Sequence, residues 1–135
     1  MLRRNIFIGS LVIVAFVMGT VILSKEFNIT SQKEIIQNHE KDWINFKYHS
    51  NDLRVYFDYL INFSCIIKEV RYGINDSLPV NLYVIPSCES IKDGNTLDLE
   101  IYRIIPPSTK KMSILLKFID DSESDIGFYN VEVID

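Results

Sequence analysis

Beyond Trp43 the apolar residues of this chain return at every second position, and that period decides the fold class. The cleanest run is Leu53, Val55, Phe57, Tyr59, Ile61 and Phe63, with Arg54, Asp58 and Asn62 between them. A helix would scatter these side chains around its circumference, whereas a strand sets them all on one face. Shorter runs lie on either side. Ile44, Phe46 and Tyr48 alternate with Asn45, Lys47 and His49, while Val70, Tyr72 and Ile74 share one side of residues 66–74. Val80, Leu82 and Val84 form an expected inward set before Pro86. Leu97, Leu99 and Ile101 form another, ended by Pro106-Pro107, neither of which can donate to a ladder. Met112, Ile114, Leu116 and Phe118 follow, and Tyr129, Val131 and Val133 close the chain. Ser50-Asn51-Asp52, Asn75-Asp76-Ser77, Asp93-Gly94-Asn95 and the acidic stretch 120–125 supply the turns between them.

Residues 43–135 therefore carry seven expected strands and no helical pattern long enough for a crossover. The expected class is all-β: a small antiparallel β-sandwich rather than a set of βαβ units. Seven strands in this length resemble an immunoglobulin-like or fibronectin-type sandwich in architecture alone. The Cys-Trp-Cys order of true immunoglobulin domains is missing, because the sole Trp, Trp43, precedes both cysteines.

The start of the chain follows a different rule. Residues 6–23, IFIGSLVIVAFVMGTVIL, contain no charge. As a helix they cover about 27 Å, close to the hydrocarbon thickness of a bilayer. Arg3 and Arg4 ahead of them favour a cytoplasmic N-terminus and a domain on the far side, periplasmic or extracellular. Residues 1–24 are thus expected to be a signal-anchor or transmembrane helix. A cleavable signal peptide is the competing reading, with cleavage after Gly19. Residues 25–42 are expected to be a juxtamembrane spacer, flexible or helical over 31–41, where Ser31-Gln32-Lys33-Glu34 fits a capping box.

An exported chain gives its two cysteines a meaning. Cys65 and Cys88 are the only pair, and an oxidising compartment favours a disulfide between them. Arg3 and Arg4 are two of the 14 basic residues, which leaves 12 against 18 acidic residues in the rest of the chain. Such a balance, with no basic cluster longer than Lys110-Lys111, excludes nucleic acid as the expected partner.

Catalytic chemistry has no foothold in the sequence. The two histidines, His39 and His49, do not form H-E-x-x-H, and no G-x-S-x-G, phosphate-binding loop or dinucleotide fingerprint occurs. The stretch Asp120-Asp121-Ser122-Glu123-Ser124-Asp125 offers oxygens at calcium-like spacing, but its Gly127 falls one place late and no Glu stands at the twelfth position. A solvated hairpin turn describes it better. Neither an enzyme, a metal site nor a cofactor is expected. Interface residues are: Tyr56 and Leu60 fall on the polar side of the long strand, and Tyr102 and Ile104 on the side opposite the Leu97 set. Together these features lead to an expected role as a membrane-anchored, extracytoplasmic protein-interaction module in an envelope or cell-surface complex. The alternative is a cleaved, secreted inhibitor or immunity-type protein, whose acidic charge would suit a basic target.

Overall fold

The computed structural model describes residues 28–94 and 100–132. Two compact units divide the chain, residues 1–35 and residues 36–135. The expected membrane segment, 1–24, lies outside the described residues. Among the described residues no helix is long and apolar enough to cross a membrane.

Residues 28–38 are helical (α1). The helix is already under way at Asn28, whose side-chain oxygen accepts from Gln32 Nε2 at 3.1 Å. Ser31 therefore lies inside a helix rather than capping one, and the expected start at 31 is corrected. From Ile36 onward the chain belongs to the larger unit, so the compact boundary falls seven residues before Trp43. Ile36 is fully buried, and its carbonyl accepts the indole N–H of Trp43 at 2.8 Å. A buried indole needs such an acceptor. A single 3-10 turn, Glu40–Asp42, brings the two residues together.

Two antiparallel sheets make up the larger unit, an arrangement compatible with a small β-sandwich. One has three strands in the order β1 (Asn45–His49), β2 (Asp52–Tyr56), β5 (Tyr102–Ile105). The other has four, β4 (Asn81–Tyr83), β3 (Ile67–Ile74), β6 (Lys111–Phe118) and β7 (Gly127–Asn130). Inward residues alternate along the strands as period two requires. Leu53 and Val55 bury from the first sheet, and Val70, Met112, Ile114, Leu116 and Phe118 from the second.

Two expected strands are overturned. The long run 53–63 is a strand only to Tyr56, after which Asp58–Ile61 form a helical turn, α2. Phe57, Leu60, Ile61 and Ser64 are buried there, a spacing of three, one and three that fits one helical face. The chain must leave one sheet for the other between β2 and β3, and the tight turn makes that crossing. In β4 the faces are reversed: Tyr83 is fully buried, while Val80, Leu82 and Val84 are exposed. A slip of one residue exchanges every side chain of a strand. Tyr83 wins the inward place because its ring stacks on Phe57 (centroids 4.1 Å, planes 12° apart) and its hydroxyl donates to the Glu100 carbonyl at 2.6 Å. The run expected at Leu97, Leu99 and Ile101 falls largely outside the described residues; β5 begins at Tyr102.

Cys65 and Cys88 are joined as a disulfide, with Cα atoms 4.6 Å apart. Cys65 follows the turn after α2, and Cys88 opens the short helix α3 (Cys88–Lys92), which Ser87 caps by accepting from Ser90 N. The bridge therefore ties the connection entering β3 to the one leaving β4.

Candidate interaction surface

Three of the four expected interface residues come together on the outer face of the three-stranded sheet. Tyr56 pairs directly with Tyr102, their rings 5.5 Å apart, and Ile104 lies opposite Arg54. The Arg54 guanidinium sits 4.3 Å from the Tyr102 ring and the Lys47 ammonium 5.4 Å from that of Tyr56. These cations and rings largely cover one another. Arg54 Nε is buried there without a hydrogen-bond partner among the described residues. Leu60 does not join them: the α2 turn rotates it inward, and it is fully buried. Of the four, only Ile104 stands well out, at 58% exposed.

A larger apolar surface lies where the core was expected. Leu78, Val80, Leu82 and Val84 are 72%, 71%, 53% and 68% exposed, in a row along the edge strand β4 and its approach. Leu82 pairs with Arg71 of β3, which pairs in turn with Leu115 of β6. At the other side of this sheet Phe128 of β7, 74% exposed, pairs with Ser113. Leu78, Pro79, Ile126 and Phe128 line a shallow depression above Ser113. Gly73 makes that depression possible. A Cβ at Gly73 would stand 2.7 Å from both the Leu78 carbonyl and Ser113 Oγ, so only glycine lets the 77–79 segment lie flat across β3.

No charge occurs from Ser77 through Cys88, SLPVNLYVIPSC. Edge strands normally discourage further pairing with charges, bulges, prolines or very short length. The other three edges conform: β1 has Lys47 and His49, β5 has Arg103, and β7 is flanked by Asp125 and Glu132. Only proline residues, Pro79 and Pro86, bracket β4. Alternation alone could have located this strand but not its outward face, because the decisive residue, Tyr83, is amphipathic.

Tyr83 also makes the edge pH-sensitive. Burial pushes its hydroxyl up to about 12, against the opposing pull of Arg103. Tyrosine in the unfolded chain titrates near 10. The folded state thus holds this proton more tightly, and its contribution is intact below about pH 10 and lost as pH rises toward 12. Urea unfolding across that window should show stability falling by on the order of 2 kcal/mol. Tyr83→Phe should remove that part of the alkaline loss, while costing about 1 kcal/mol at pH 7 for the missing hydrogen bond. Burial raises Tyr129 as well; its hydroxyl donates to the Glu40 carbonyl at 2.6 Å beside an open groove between β1 and β7.

His39 Nδ1 lies 3.4 Å from Asp42 Oδ2, and His49 ends β1 opposite Asp52, so the two histidines serve different neighbours. In the acidic turn, Asp121 pairs with Lys68 at 2.8 Å, which holds its carboxyl below the usual range, and Asp120 accepts from Ser122. Ser124 Oγ accepts from Leu116 N at 2.9 Å, pinning that turn to β6. Among the described residues no group of three or more His, Cys, Asp or Glu side chains is placed to hold a metal ion. No protein-family model, no curated protein and no solved structure matches this chain.

Proposed function

We propose that the chain is a membrane-anchored, extracytoplasmic module that works by binding another protein through an immunoglobulin-like β-sandwich. The observation that carries this reading is the exposed, uncharged, aliphatic edge of β4. Contiguous apolar surface of this kind marks recognition sites, and a bare strand edge can accept a partner strand through its main chain. Strand order supports the immunoglobulin-like reading. The first, second and fifth strands share one sheet and the third, sixth and seventh the other, as in the constant-type order, with the fourth moved to the edge beside the third. Placement in the membrane rests on residues 6–23 and the leading Arg3 and Arg4. The Cys65–Cys88 bridge is compatible with an oxidising, extracellular compartment.

Site-specific photocrosslinking in native membranes tests the reading. A photoreactive residue at Val80 of the full chain should yield a protein adduct of discrete mass, whereas one at Tyr56 should not. Protease added from outside should remove the domain while sparing the N-terminus. Absence of any adduct from Val80, or a domain protected until the cytoplasmic membrane is broken, would defeat the proposal.

A further inference from the structure

The exposed aliphatic residues in and beside β4 are arranged symmetrically about Leu82. Val80 stands two places before it and Val84 two places after, all three outward, with Asn81 and Tyr83 between. An antiparallel copy of the same strand therefore meets it in register: Leu82 opposes Leu82, and Val80 opposes Val84 in both directions. We infer that the partner of this edge is a second copy of the chain, bound about a two-fold axis through Leu82. This names the partner for the interaction role proposed above and rests on that reading.

Three features favour a copy over an unrelated strand. An isologous contact must be self-complementary, and this spacing is. The domain is acidic overall, so two copies repel across most of their surfaces, yet the segment from Ser77 through Cys88 brings no like charges together. The two Val80 and two Val84 side chains also close into one apolar row, continuous with Leu78. Area sets the strength. The four outward aliphatic residues offer on the order of 400 Å² of apolar side chain per copy. Doubled, that lies at the small end of specific interfaces, where contacts are weak and transient. Anchoring in one bilayer would raise the effective concentration enough to populate such a pair. Pairing would join the two four-stranded sheets into one continuous eight-stranded sheet.

The register gives a sharp test in the full chain in its native membrane. Directly opposed residues in antiparallel strands have Cα atoms about 4.5–5.5 Å apart, within disulfide reach. Two Val80 residues would lie about 14 Å apart, at roughly 3.4 Å per residue over four positions, which is out of reach. Under mild oxidation Leu82→Cys should cross-link to itself, at least ten-fold more than Val80→Cys alone. Co-expressed Val80→Cys and Val84→Cys chains should cross-link to each other. Leu82→Cys that stays unlinked, or links no better than Val80→Cys, overturns self-pairing. If Val80 still gives an adduct with a different protein in that case, the interaction role stands and only the choice of partner is wrong.

Discussion

Replacing Trp43 by alanine should lower the unfolding free energy by about 3–5 kcal/mol, the cost of emptying a large buried aromatic site. Trp43 is 1% exposed and sits where the 3-10 turn passes the chain into β1. Its loss opens the largest single void that one substitution can make in this core. It also removes the indole N–H that the Ile36 carbonyl accepts at 2.8 Å, leaving that oxygen with the His39 N–H at 3.2 Å. Small domains carry only about 5–15 kcal/mol in total, so this change alone should bring the protein near its threshold. Trp43→Phe separates the two contributions. It refills most of the volume but lacks the indole donor, and should cost about 1 kcal/mol for the lost hydrogen bond. Urea unfolding followed by far-UV circular dichroism measures both variants. A Trp43→Ala loss below about 1 kcal/mol would place the indole at the surface instead of in the core.

The second large effect comes from the Cys65–Cys88 bridge. It closes a loop with a sequence separation of 23, and a loop of this size is worth about 3 kcal/mol in the chain-entropy model. The double variant Cys65→Ala, Cys88→Ala should therefore unfold at a clearly lower urea concentration. Its native spectrum should not change, because Cys65 is exposed and neither residue fills the core. Reductant should shift the wild-type midpoint to that of the variant and leave the variant unmoved. A wild-type midpoint indifferent to reductant would mean that the thiols are not joined.

How much of this was readable from the amino acids depends on what each residue had to satisfy. In β6, Met112, Ile114, Leu116 and Phe118 needed only burial, and all four sit inward as their alternation predicts. Over 57–63 two periods overlap: Phe57 and Ile61 fit both a strand and a helical turn, and Leu60 against Tyr59 decides between them. That contest is settled by the need to change sheets, which no local pattern encodes. Because Leu60 turned inward, it left the predicted interface, while Tyr56, Tyr102 and Ile104 stayed on one face. In β4 the error ran the other way. Three aliphatic residues counted as core yielded to one tyrosine that had both a stacking partner and a hydrogen-bond acceptor. Hydrophobic weight alone pointed to the wrong side, and the surface most suited to recognition was hidden in the sequence as an ordinary inward strand.

The bridge between Cys65 and Cys88 has a mechanical consequence. If the chain is held at its N-terminal end by a bilayer and pulled from its C-terminal end, tension passes from Cys65 directly to Cys88. Residues 66–87, which would otherwise pay out about 75 Å of contour length at roughly 3.5 Å each, carry no load. The segment that bears Val80, Leu82 and Val84 lies wholly inside this slack-free shunt, so the gripping edge stays folded while the rest of the tether bears the strain.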